Sequence, residues 1–112
     1  MVDLRTIRNI YLYSDVVDFR KGLKSLTNLV LTKYNRKDVR DSLFVFFGRD
    51  KQQIKMLEIV NNGVWLYQKY LNHSEFIIPV VEETIKIDKR QLLLILHTLR
   101  EKRYYTKEEI SD

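Results

Sequence analysis

Lysine and arginine side chains emerge from apolar surroundings in this chain, and their chemistry is the easiest to define. In residues 46–71, FFGRDKQQIKMLEIVNNGVWLYQKYL, cations alternate with apolar side chains on both sides of an Asn-Gly pair. Ammonium and guanidinium groups neutralise phosphates, and release of the counterions condensed on nucleic acid then favours binding. An anionic partner is therefore the functional hypothesis, and solvated or edge-protecting charges are the alternative.

The positive charge is concentrated in the first half of the chain. Residues 1–55 hold 12 Lys and Arg against 6 Asp and Glu, whereas residues 56–112 hold 8 against 9, and the net charge is +5. This asymmetry favours an anionic partner, with nucleic acid the usual one. A basic protein that is merely soluble has the same totals, so charge alone does not decide between the two.

Length and composition indicate one domain. A chain of 112 residues that is 45% hydrophobic can bury a modest core of its own. We expect residues 1–101 to form a single domain and residues 102–112 to form a charged tail, either disordered or with a single turn. The chain has no cysteine, no secretory-type start and no membrane-length apolar run, so we expect a cytoplasmic protein without a membrane partner.

Residues 9–13, NIYLY, predict a strand, and a helix is predicted to follow it with Asp15 or Asp18 as its N-cap. Apolar side chains recur there at spacings of three and four, and they are predicted to face the core. These side chains are Phe19, Leu23, Leu26, Val30 and Tyr34. The opposite side of the helix would present Arg20, Lys21 and Lys24.

The apolar run at residues 43–47 predicts a buried central strand, and a hairpin is predicted to follow it. Asn62-Gly63 is a preferred pair for a type I′ turn, in which both central residues have positive φ. A two-residue loop at this pair would place Glu58 opposite Tyr67 and diagonal to Lys69. Both faces of such a hairpin are partly apolar, so helices or a partner must cover them.

The final third of the domain predicts an edge strand or extended connection at residues 76–81 and a short strand at residues 84–87. A capping box at Asp88 and Gln91 would then begin a helix over residues 89–100. The helix has a broad apolar arc, which indicates either deep burial or a subunit contact. Together these elements predict an α+β fold: a small, mainly antiparallel β-sheet with a central hairpin, packed with an N-terminal and a C-terminal helix.

No constellation in the sequence predicts catalysis. His73 and His97 are the only histidines, and neither has the convergent partners that a base or metal ligand needs. The acidic pairs at residues 82–83 and 108–109 are adjacent and unaccompanied, as in solvated charge. We therefore expect a protein that is not an enzyme and that has no cofactor and no metal site.

Several motifs occur in order along the chain: DFRKGL at residues 18–23 with Leu26, LFVFFGR at 43–49, IKML at 54–57 and WLYQKYL at 65–71. In this order and with these gaps they resemble the TnpB accessory proteins, the products of the second open reading frame of IS-sixty-six-type bacterial insertion sequences. The resemblance covers residues 10–99. It implies a small protein that is encoded beside the transposase, assists transposition and has no nuclease centre.

Joined to the charge distribution, this resemblance leads us to expect a surface that contacts DNA phosphates near the ends of the insertion sequence. Two positions weaken the positive charge expected of this surface, because Asp50 and Tyr70 replace residues that are often basic in the family. The surface is predicted to comprise Arg20, Lys21, Lys24, Arg49, Lys51, Lys55 and Lys69.

Two other functions stay open. The alternative is a protein-binding adaptor that docks the transposase through the hairpin and the last helix, and a nuclease-like catalyst is a third option. The sequence does not decide whether the chain forms a homo-oligomer.

Overall fold

The computed structural model describes residues 2–101, which contain two helices and seven strands. The strands are β1 (Asn9–Leu12), β2 (Ser42–Phe47), β3 (Gln53–Val60), β4 (Gly63–Tyr70), β5 (Ser74–Phe76), β6 (Ile85–Ile87) and β7 (Leu99–Glu101). The helices are α1 (Leu23–Leu31) and α2 (Lys89–His97), and a 3-10 turn, Leu4–Thr6, precedes β1. The tail predicted at residues 102–112 lies outside the described residues.

Five strands form the main sheet in the order β4-β3-β2-β1-β6. β1 and β2 are parallel and are joined through α1, whereas the other neighbouring strands of this sheet are antiparallel. β5 and β7 form a separate antiparallel pair. The predicted α+β class with a mainly antiparallel sheet is therefore confirmed.

Helices cover both faces of the main sheet, which explains why β2 is buried at every position. Alternate side chains of a strand point to opposite faces, so β2 supplies two separate cores. Leu43, Val45 and Phe47 enter the core beneath α2. Phe44 and Phe46 enter the core beneath α1. A continuous apolar run is the expected sequence pattern for a strand buried on both faces.

Helix α1 begins at Leu23, later than the apolar spacing predicts. Its N-cap is Gly22, which has no side chain to cap the helix, so the predicted cap by Asp15 or Asp18 is wrong. Asp18 instead closes a tight turn ahead of the helix: its carboxylate accepts a hydrogen bond from the backbone N–H of Arg20 at 2.9 Å. Phe19 and Arg20 therefore lie in this turn, outside the helix.

The turn between β3 and β4 differs from the sequence prediction. Val60 pairs with Gly63, so the loop residues are Asn61 and Asn62, and within residues 2–101 no glycine has positive φ. The predicted type I′ turn at Asn62-Gly63 is wrong, because Gly63 already belongs to the strand. The pairing shifts by two residues along β4, which keeps every side chain on its predicted face but changes its neighbours.

As a result of this shift, Glu58 lies opposite Trp65 and not opposite Tyr67. Lys69 is therefore no longer diagonal to Glu58, and the Tyr67 hydroxyl donates a hydrogen bond to the Glu58 carboxylate at 2.7 Å. Burial of the phenol, reinforced by this hydrogen bond and by the nearby negative charge, raises the pKa of Tyr67 to about 12.

Helix α2 begins with the capping box that the sequence predicts. The Asp88 side chain accepts from the backbone N–H of Gln91, and the Gln91 side chain accepts from the N–H of Asp88. The helix ends at His97 and not at residue 100 as predicted, so Leu99 lies in β7 and is 39% exposed. No helix in the described part of the chain is long and apolar enough to cross a membrane.

Candidate nucleic-acid interface

Two loops meet at one end of the main sheet, and we call residues 13–22 and 48–52 together the loop end. They lie side by side because β1 and β2 are parallel, so their carboxyl ends reach the same edge of the sheet. The backbone N–H of Val17 donates to the Phe47 carbonyl at 3.0 Å, which holds the first loop against the end of β2. In sheets with parallel strands this edge is where ligands commonly bind.

Lys55 holds the first loop in place through hydrogen bonds, and it is one of two cations that the structure places away from the predicted surface. Its side chain enters the α1 side of the sheet, and the residue is 5% exposed. The ammonium group donates to the carbonyls of Phe19 at 3.0 Å and Lys21 at 2.9 Å, and it lies 5.0 Å from the centre of the Phe19 ring. Lys55 was predicted to contact phosphates, but the residue is buried and its ammonium group already donates two hydrogen bonds within the protein.

Gly48 supports the same loop from the neighbouring strand. A methyl group at this position would lie 2.8 Å from the Phe19 ring, so the ring packs closely only because residue 48 has no side chain. The "FFGR" segment therefore contributes a contact surface for Phe19. It also leads the chain directly into Arg49.

We expect Gly48→Ala to lower the free energy of unfolding by about 1–3 kcal/mol, the usual cost of an overpacked contact. The Phe19 ring must move, and the carbonyls that Lys55 binds would move with it. Gly63→Ala is the matched control, because a methyl group there meets no atom within 4 Å. Urea unfolding of the two variants measures the difference, and equal stabilities would contradict the packing argument.

Arg20 is exposed but already paired. Its Nη2 lies 2.6 Å from the Asp18 carboxylate, and its side chain is 92% exposed. Hydrogen bonds from the Arg20 side chain and backbone lower the pKa of Asp18 to about 2. The side-chain hydrogen bond and the charge of Asp18 in turn raise the pKa of Arg20. Asp18 therefore stays ionised at neutral pH. This ion pair leaves the guanidinium accessible from one side, but its charge is balanced.

Four other cations at or beside the loop end are exposed: Lys21, Lys24, Arg49 and Lys51. None of them forms an ion pair with another residue of the described range 2–101. Lys21 lies in the first loop, Lys24 in the first turn of α1, and Arg49 and Lys51 in the second loop. Lys51 has a φ of 60°, a left-handed conformation that turns the chain into β3.

Arg20 and Arg49 both line a cavity of about 710 Å³ between the two loops. Asp18 and Asp50 line it as well, so the cavity itself has a mixed charge. One carboxylate oxygen of Asp50 already accepts a hydrogen bond from the backbone N–H of Gln52 at 3.1 Å. The exposed cations around the cavity, more than the cavity itself, give the loop end its basic character.

Lys69 lies on the other side of the sheet. It pairs with Ile54, whose side chain belongs to the core beneath α2, so Lys69 projects on the α2 side. It lines an apolar cavity of about 530 Å³ there, together with Met56 and Leu96. The structure therefore does not bring all seven predicted cations to one surface, since Lys55 is buried and Lys69 faces the opposite side of the sheet.

One exposed cation that the sequence did not single out contacts the buried side chain of Tyr13. Lys33 follows α1 and donates to the Tyr13 hydroxyl at 3.1 Å, and this hydrogen bond is the main reason that the pKa of Lys33 is raised. Tyr13 and Lys33 are twenty residues apart, and no local spacing pattern links them. Within residues 2–101, no group of three or more His, Asp or Glu side chains could hold a metal ion.

The fold and the loop end define a small α+β protein with a basic loop surface beside a largely buried sheet. Residues 8–105 match the family described as IS66 Orf2 like protein, and the chain belongs to this family. It is thus a transposition-associated accessory protein of an insertion sequence, as the ordered motifs predict. No match was found among curated proteins or among solved structures.

Proposed function

We propose that this protein binds DNA through the loop end, without catalysing a reaction, and thereby assists transposition. The contacts are to phosphates, made by Lys21, Lys24, Arg49 and Lys51 with a smaller contribution from Arg20. The observation that supports this most strongly is the exposure of these four cations without ion pairs to described residues. Such contacts give affinity and orientation with little sequence reading.

The five side chains would make two kinds of phosphate contact, one through guanidinium groups and one through ammonium groups. A guanidinium can contact a phosphate through two parallel hydrogen bonds, so Arg49 would form the most directional contact. Lysine ammonium groups act as point charges on flexible stems and tolerate a variable backbone position. The protein is proposed to act in the cytoplasm, where the chromosomal DNA of a bacterium lies.

The test is the salt dependence of DNA affinity. Four phosphate contacts predict a slope of log K against log salt of about −3.6, so affinity falls roughly a hundredfold between about 50 mM and about 200 mM salt. Fluorescence anisotropy with the intact chain and a labelled duplex measures this slope. A slope near zero, or no detectable binding at low salt, would contradict the proposal.

A second candidate is an adaptor that docks the transposase. The observation that favours it is the exposed apolar surface of α2, where Leu93 is 43% and Leu94 is 56% exposed. A complex with transposase that persists at high salt, in the absence of DNA binding, would support this candidate in place of the first. Metal-dependent cleavage of DNA by the purified protein would instead indicate a nuclease and contradict both.

A further inference from the structure

The two edges of the main sheet are very different. β6 forms one edge with only three residues, and Lys86 at its centre is the kind of charge that protects an edge. β4 forms the other edge with eight residues, Gly63–Tyr70, and contains no proline. Within residues 2–101, β4 has only β3 as a paired strand. Long edges of this kind are templates for another strand.

The backbone groups that β4 presents at its open edge can be identified from the ladder. The N–H of Leu71, just after β4, donates to the carbonyl of Gln52 at 2.8 Å, so odd-numbered residues point their backbone groups toward β3. Even-numbered residues therefore point them outward, because the direction alternates along a strand. These outward residues are Val64, Leu66, Gln68 and Tyr70.

We propose that β4 pairs with β4 of a second copy, antiparallel and about a two-fold axis, to form a continuous ten-stranded sheet. Only one self-pairing uses all four outward residues: Tyr67 meets its own counterpart, Val64 pairs with Tyr70 of the second copy, and Leu66 pairs with Gln68. Shifting the register by two residues in either direction, the smallest shift that keeps outward residues paired, places one of them opposite a loop.

The side chains of β4 fit this register. Trp65 is 61% exposed on the α2 side of the sheet, and its opposite neighbour in the second copy would be Lys69. These two form a closely spaced, non-hydrogen-bonded pair, in which an ammonium can lie over the indole ring. The register also keeps the two Lys69 side chains apart. β4 carries no acidic residue, so two copies complement each other through this cation–π pair and not through ion pairs.

Light scattering of the intact chain after size exclusion tests the proposal. We expect a mass of twice 13.6 kDa. Gln68→Pro removes an outward N–H without removing a backbone hydrogen bond to β3, and it is expected to give a monomer, while Gln68→Thr keeps the N–H and the dimer. Both variants lose the same side-chain hydrogen bond to Gln53. Circular dichroism of both variants is the control for folding. A monomeric parent chain, or a dimeric Gln68→Pro variant, would overturn the proposal.

A charge exchange tests the register independently of proline. Trp65→Lys places two ammonium groups opposite each other at both symmetric positions, and it should raise the dimer dissociation constant roughly tenfold. Adding Lys69→Glu to that variant creates opposite charges at both positions and should restore the dimer. Failure of the second substitution to restore it would exclude this register. Either result leaves the DNA proposal untouched, because the loop end lies outside β4.

Discussion

Lys55→Met is expected to lower the free energy of unfolding by about 3 kcal/mol, since a hydrogen bond from a charged group contributes roughly 1.5–3 kcal/mol and this ammonium makes two. Methionine keeps the apolar stem in the core but leaves the carbonyls of Phe19 and Lys21 without their buried donor. The loss corresponds to a fall in Tm of roughly 10–20 °C for a domain of this size.

Urea unfolding followed by circular dichroism measures this loss. Lys24→Met is the matched control, because it makes the same chemical change at an exposed helix position and should alter stability by less than about 0.5 kcal/mol. If the two variants were equally stable, Lys55 would be a surface cation after all. It would then return to the group that is able to contact phosphates.

Removing the four unpaired cations of the loop end should weaken DNA binding roughly a thousandfold at about 0.1 M salt, because each lost phosphate contact also loses its counterion release. The variant combines Lys21→Ala, Lys24→Ala, Arg49→Ala and Lys51→Gly. Glycine is chosen at residue 51 because φ is 60° there, so the substitution removes a charge and relieves the backbone. Stability should therefore change little.

A second fourfold variant removes the same charge from the opposite end of the sheet. Arg8, Lys86, Lys89 and Arg90 lie around the start of β1 and the start of α2, and all four are exposed. Their replacement by alanine should weaken binding much less than the loop-end variant does, in the same anisotropy titration. Equal losses in the two variants would show that net charge alone drives binding, with no localised interface.

The elements of the sheet were easier to predict from the sequence than their ends. The apolar run of β2 and the capping box of α2 are local signals, and both occur where the sequence places them. The start of α1, in contrast, is not determined by a local signal. Phe19 has the spacing of a helix residue, but its ring packs on Gly48, which lies far away in the sequence. Tertiary packing therefore overrides the periodicity.

The sequence predicts the exposed cations of the candidate site, but not those whose environment depends on tertiary contacts. Charge counts identify Lys21, Arg49 and Lys51 as cations in polar segments, and such residues are exposed in most folds. Lys55 occurs in an apolar strand, and no sequence pattern indicates that its ammonium group donates hydrogen bonds to the carbonyls of Phe19 and Lys21. The pairing of Arg20 with Asp18 is local, but it depends on a turn where the periodicity predicted a helix.

The most direct measurement of the central claim is a map of the DNA contact on the protein by NMR. Addition of a short duplex to the isotope-labelled chain is predicted to shift the signals of residues 16–24 and 48–53, and to leave those of β4 and the exposed side of α2 unchanged. Shifts confined to β4 or α2, or no shifts at low salt, would contradict the assignment of DNA binding to the loop end.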